Sequence, residues 1–243
     1  MTNVVFPMAG RGARFAEKGF RAPKPMIPVL GKPIIQHVLA SYTLDARYIF
    51  VALHEHLASG LGALLESLRP GSRIIPLDHP TQGPVCTVLH ARAEIDTEQD
   101  LLIADCDSLL IWPDRWVLDW FQRRGATGGV TTRVTNDPSC SFAALDRHGW
   151  VLETREKDPF TMFSTTGPYW WRHGRDFVRA ADKMIADDRR TNGEFYVSPT
   201  YNYHIADGGR VLSYPLPEFW SLGKPEDVER FLKEHDPSGI NVG

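Results

Sequence analysis

Apolar residues along this chain fall into two spacings. Short unbroken runs at Val4–Phe6, Tyr48–Leu53 (YIFVAL), Arg73–Leu77 and Leu101–Ala104 have the length of strands buried on both faces. Between them the spacing lengthens to that of helices. Pro33–Tyr42 opens on proline, which suits a first helical turn. His56–Leu68 repeats leucine at 57, 61, 64, 65 and 68, and Pro84–Ala93 and Trp116–Arg124 complete the set. Strand and helix therefore alternate four times, which predicts an α/β fold with a doubly wound, mostly parallel sheet. After residue 126 the pattern becomes mixed. Gly128–Val134, Ser141–Leu145 and Trp150–Thr154 read as strands, with a hairpin at Arg147-His148-Gly149. A helix follows at Gly174–Asp187, a strand at Arg210–Tyr214 and a last helix at Pro225–His235, with Glu226 and Asp227 in its favourable first turn. No Gly/Pro/Ser linker separates the halves, so one domain over 1–243 is expected, with lobes 1–125 and 126–243.

Composition narrows the classes. At 243 residues, 42% hydrophobic and 23% charged, the chain can bury a full core without staples. A net charge of −3 gives no general field for nucleic acid, so none is expected as a partner. No apolar stretch is long enough to span a membrane, and residues 1–8 lack the basic start of a signal peptide. Cys86, Cys106 and Cys140 are odd in number and widely spaced, with no zinc pattern, which fits a reduced, cytoplasmic setting.

Chemistry concentrates after the first strand. Val4–Phe6 runs into Ala9-Gly10-Arg11-Gly12-Ala13-Arg14, and Lys24 follows between Pro23 and Pro25. Glycines let backbone wrap a phosphate, and consecutive N–H groups make an anion cradle. Arg11 and Arg14 bring forked donors, and Lys24 a point charge on a backbone stiffened by its prolines. The spacing is neither that of a P-loop nor that of the dinucleotide fingerprint. A second cluster, Asp105-Cys106-Asp107-Ser108, lies beyond strand Leu101–Ala104, at the strand end where such sheets bind ligands. Asp105 and Asp107 are two residues apart and point the same way in extended chain, so both reach one Mg²⁺. Thr81-Gln82-Gly83-Pro84 opens the third helix, and Gln82 carries both donor and acceptor groups. His54 and His56 read as loop polar residues, and no nucleophile elbow is present.

The string G-x-G-x-R followed by P-K-P-M-I-P-V-x-G-x-P resembles the nucleotidyltransferases (sugar-1-phosphate nucleotidylyltransferases, or pyrophosphorylases), and weaker likenesses follow in order along the chain. The resemblance implies a Rossmann-like sheet with an acceptor-binding second lobe. It implies that Ala9, Gly10, Arg11 and Gly12, with Gln82, Gly83 and Thr87, hold an NTP, and that Arg14 and Lys24 are catalytic. It makes Asp107 the metal ligand, with Asp105 less certain because the family often has Asn or Gly there. It assigns Glu156, Lys157, Gly167, Glu194 and Asn202 to a phosphorylated small-molecule acceptor. Trp170 and Trp171 read as core. The chain departs from the family at Ser221, where many members carry a metal-binding Asp, and at Lys224, where they carry Thr.

The implied reaction joins an NTP to a sugar 1-phosphate and releases pyrophosphate with Mg²⁺ as cofactor, as in short members that activate capsule or cell-surface building blocks. A small non-sugar phosphate activated by CTP is the alternative acceptor. Two further classes stay open: a glycosyltransferase using Asp105-x-Asp107 as its metal motif, and a catalytically silent relative. Self-association is left open.

Overall fold

The computed structural model describes residues 1–234. Its strands in chain order are β1 (Thr2–Met8), β2 (Pro28–Val29), β3 (Lys32–Pro33), β4 (Ala46–Leu53), β5 (Arg73–Leu77), β6 (Leu101–Ile103) and β7 (Ser108–Ile111). They continue with β8 (Gly128–Val134), β9 (Ser141–Leu145), β10 (Val151–Glu156), β11 (Phe163–Trp171), β12 (Val211–Pro215) and β13 (Glu218–Ser221). The central sheet runs β5-β4-β1-β6-β11-β8-β12. Within that row only β11 runs against its neighbours. β9 joins β11 near Ser164, and β10 pairs outside β9.

Alternation along the strands sorts the core into two layers. Val4, Phe6, Phe50, Leu102 and Trp170 face helices Ile34–Ala40, Gly62–Leu68, Asp114–Arg123 and Pro225–Glu234. Val5, Ile49, Val51, Ile103 and Trp171 face helices Pro84–Leu89, Gly174–Ala186 and Thr200–Ala206. Helices thus cover both faces of a mostly parallel sheet, the expected α/β, Rossmann-like arrangement. Trp170 and Trp171 are buried, one in each layer.

The four predicted parallel strands are present, and the helices differ in detail. Helix His56–Leu68 is broken, because Gly60 takes φ 108° and divides a wide turn at Leu57–Leu61 from helix Gly62–Leu68. Pro84–Ala93 splits into Pro84–Leu89 and Arg92–Ile95. The last helix covers Pro225–Glu234, and His235 lies outside the described residues. The largest omission from the sequence pattern is β11, whose Gly167-Pro168 argues against a central strand. The chain accommodates that pair in a register shift between Thr165 and Tyr169, where the ladder to β8 is interrupted. Among the described residues no helix is long and apolar enough to cross a membrane.

Candidate functional site

Loops at the C-terminal ends of β1, β5 and β6 meet at two adjoining cavities of about 320 and 340 Å³. The smaller is walled by the loop Ala9–Gly12 and by Thr81, Gly83 and Thr87, and the larger extends under the second lobe. Lys24 and Pro84 line both, and so stand at the junction.

The first loop is shaped by its glycines in two ways. Gly12 takes φ 65°, and a Cβ there would stand 3.2 Å from Lys24 Cβ, so the loop lies directly on the lysine stem. Gly10 faces open space, with nothing within 4 Å of an added Cβ, which leaves its backbone accessible to a ligand. The exposed Arg11 lines the smaller cavity and the exposed Arg14 the larger. The second loop is stitched across the sheet to the later lobe. Phe195 N–H donates to Gln82 O at 2.9 Å, and Val85 N–H donates to Phe195 O at 3.0 Å. Gly83 takes φ 124° there, and a Cβ would sit 2.5 Å from Phe195 N.

The carboxylates follow β6. Leu222 N–H donates to Asp107 O at 2.7 Å, and the ribbon β7–β13 pairs Ser108 with Ser221. The Asp105–Ser108 loop is therefore held against residues 221–223. Lys24 Nζ lies 2.5 Å from Asp107 Oδ2. Burial works against the Lys24 charge, but Asp107, with Cys106 and Asp105, more than offsets it and holds the ammonium above its ordinary pKa. Burial, then the neighbouring Asp107 carboxylate, raises Asp105 against the pull of Lys24. Two close carboxylates sharing one ammonium are short of positive charge, which fits a divalent cation. The described residues hold no group of three or more His, Cys, Asp or Glu able to bind a metal, so further ligands would be phosphate oxygens and water.

The larger cavity brings Glu156 and Lys157 together with Gly167 and Tyr196. Glu156 is the last residue of β10 rather than a residue beyond it. Burial, with a contribution from Glu194, pushes its carboxyl up to about 6 even though Ser141 Oγ donates to it and Lys157 is adjacent. Lys157 takes φ 55° and donates to Tyr196 Oη, and Tyr196 Oη donates to Glu194 Oε2 at 2.5 Å.

Three expected contacts are placed differently. Gln82 is exposed, and its Oε1 accepts from Arg190 Nη2 at 2.7 Å, while Thr81 and Thr87 line the smaller cavity in its stead. Asn202 clamps β10 instead of reaching the cavity. Its Nδ2 donates to Thr154 O at 2.8 Å and its Oδ1 accepts from Thr154 N at 2.8 Å, two residues before Glu156. Glu194 lines the smaller cavity and not the larger, which it reaches only through Tyr196. Gly167 does line the larger cavity, yet the space a Cβ would need there, at φ 111°, is filled by Asp105 Oδ2 at 2.6 Å. Its missing side chain makes room for the carboxylate.

Ser221 Oγ donates to Asp227 Oδ2 at 2.8 Å, so this wall does present a carboxylate, from six residues further on. Neither Ser141 nor Arg133 stands out in the sequence as a site residue, and both line the larger cavity with Tyr196. Arg133 carried a usable signal, as the one charged residue in GGVTTRV.

Comparisons with known proteins give the family and the fold. The model of the MobA-like NTP transferase domain matches residues 4–148, more than half of the chain. The Bifunctional protein GlmU of Geobacillus thermodenitrificans is 24% identical over 260 residues, covering 96% of this chain and 53% of that protein. The GlmU of Desulfotalea psychrophila is 26% identical over 238 residues, covering 93% and 65%. The chain thus spans about half to two thirds of the length of these relatives. Among solved structures, a nucleoside-diphosphate-sugar pyrophosphorylase from Vibrio cholerae superposes with a TM-score of 0.82 at 23% identity, covering 95% of this chain and all of that one. A UDP-glucose pyrophosphorylase complexed with UDP-glucose gives 0.75 at 16% identity, covering 96% and 97%. The match over more than half of its length shows that the chain belongs to the MobA-like NTP transferase domain family of nucleotidyltransferases.

Proposed function

We propose that this chain transfers a nucleoside monophosphate from an NTP to a phosphorylated small-molecule acceptor, a sugar 1-phosphate in the first instance, and releases pyrophosphate. The observation that carries the reading is the position of Lys24, at the junction of the two cavities and 2.5 Å from Asp107. The smaller cavity takes the NTP, its phosphates over Gly10 and Gly12. The larger takes the acceptor, its phosphate toward Lys157. An oxygen of the acceptor phosphate attacks the α-phosphorus in line. A new P–O bond forms as the bond to the β-phosphate breaks, and pyrophosphate leaves with that electron pair. Lys24 and Arg14 neutralise the oxygens of the transferred group, the main task of a protein in phosphoryl chemistry. Asp105 and Asp107 would hold Mg²⁺, which when bound supplies further neutralisation of phosphate charge. The bidentate Asn202 clamp sets the end of β10, and so orients Glu156 and Lys157 toward the acceptor.

The test is pyrophosphate release with each of ATP, CTP, GTP, UTP and dTTP against a panel of sugar 1-phosphates and small alcohol phosphates, with and without Mg²⁺. One NTP giving acceptor-dependent, Lys24-dependent release is expected. Release of a nucleoside diphosphate from a nucleotide sugar, with no turnover of any NTP, would favour glycosyl transfer and overturn the proposal.

A further inference from the structure

Six cationic side chains line the larger cavity, and four of them are accounted for. Lys24 is paired with Asp107, and Arg230 lies 3.9 Å from Asp227. Arg14 faces the phosphates and Lys157 the acceptor phosphate in the reading above. Arg133 and Lys224 are left over. Neither has a carboxylate within 4.0 Å among the described residues. Both reach the turn at residues 139–141: Lys224 Nζ donates to Ser139 Oγ at 2.8 Å, and Arg133 Nη2 is 3.8 Å from Cys140 Sγ.

Arg133 is held for a purpose its protein contacts do not meet. Its guanidinium lies over the Phe219 ring, 4.6 Å from the centroid, which fixes its plane and leaves its edge free to donate. Its Nε is buried with no hydrogen-bond partner, so the side chain keeps unmet donor capacity. The acid facing this pair is Asp137, already satisfied by the Ser139 backbone N–H at 2.9 Å. Two cations against one carboxylate leave a single positive charge. A carboxylate matches it, whereas a second phosphate monoester would exceed it.

We infer that Arg133 and Lys224 form a second anion subsite, and that the acceptor is a phosphorylated acid whose carboxylate binds between them. This rests on the nucleotidyl-transfer reading and names the acceptor class within it. The guanidinium supplies the fork that a planar carboxylate accepts in bidentate fashion, and the ammonium the companion charge.

Matched acceptors that differ in the carboxylate test it: glucuronate 1-phosphate against glucose 1-phosphate, and 3-phosphoglycerate against glycerol 3-phosphate. With the NTP that supports turnover, the acid member of a productive pair is expected to have a kcat/KM at least about 10-fold higher, carried mainly in KM. Arg133→Gln should bring that ratio to within about 3-fold of one, and Lys224→Gln, a change at a half-buried side chain that keeps a donor for Ser139 Oγ, should lower it in the same direction. Equal or better use of the neutral member by the wild type, or an equal loss for both members in the variants, overturns the inference. If no NTP is turned over with any acceptor, the transfer reading fails by itself. Calorimetry then decides the subsite separately. Arg133-dependent binding of glucuronate 1-phosphate, at least about 10-fold tighter than glucose 1-phosphate, supports it, and equal or undetectable binding of both removes it.

Discussion

The surroundings of Lys24 favour its charge and those of Glu156 oppose it, and the two predict opposite consequences of removal. Lys24 is the counter-charge of Asp107, so Lys24→Ala is expected to lower turnover by at least about 10²-fold, the usual scale for losing one preorganised charge at a transition state. Asp107→Asn should fall as far, and near-wild-type turnover in either variant would remove Lys24 and Asp107 from the chemistry. Glu156 is held above the ordinary glutamate value of 4.5, at about 6, first by burial. The folded chain therefore binds this proton more tightly than the unfolded chain, and stability is lost as pH rises from about 4.5 through about 6. Glu156→Gln should raise the melting temperature of the ligand-free protein at about pH 8 and give little gain near pH 4.5. A gain that grows toward acid would mean that burial is not the cause. Asn202 illustrates what residue identity leaves open. The resemblance to nucleotidyltransferases implies an acceptor contact for it, but both ends of its amide are used on the backbone of Thr154. Asn202→Ala should destabilise by roughly 1–3 kcal/mol and weaken the acceptor indirectly, since a backbone N–H and a carbonyl lose their partner.

At the scale of elements, the site depends on close crossings of loops more than on the regular structure behind them. The Thr81–Pro84 turn touches Phe195 backbone to backbone, and Gly83 is the residue that permits the approach. Gly83→Ala must move the loop at residue 195 and is expected to cost at least about 2 kcal/mol while weakening NTP binding. Gly193→Ala serves as the comparison. Its φ is also positive, at 82°, but nothing lies within 4 Å, so only backbone strain of about 1 kcal/mol is expected. Equal destabilisation of the two, by chemical denaturation, would show that the crossing does not constrain the site. Strand β11 shows why such crossings escape a reading by periodicity. Thr-Gly-Pro breaks the apolar run, yet the residues around it are buried in mid-sheet because a register shift absorbs the proline and the glycine makes room for Asp105.

For the whole molecule, ligand binding is the sharpest test of the two-cavity arrangement. An NTP at about 100 times its dissociation constant stabilises the fold by roughly 2.7 kcal/mol, and the rise in melting temperature should depend on Lys24 and on the base. An equal rise with every NTP, or one that persists in Lys24→Ala, would place the nucleotide elsewhere.

The sequence by itself determined the sheet's identity, because parallel strands buried on both faces must be unbroken apolar runs and their covering helices must carry a regular stripe. It also marked the Gly10–Arg14 loop and the Asp105/Asp107 pair as candidates for chemistry, since each is a contiguous string. What only the tertiary structure decided are the relations between distant segments: Lys24 on Asp107, Gly83 under Phe195, Asn202 across Thr154, and Arg133 with Lys224 at one turn. These pairs are 48 to 112 residues apart, and no periodicity along the chain encodes such distances. They are set by which strands become neighbours and by where a register shift allows one backbone to approach another.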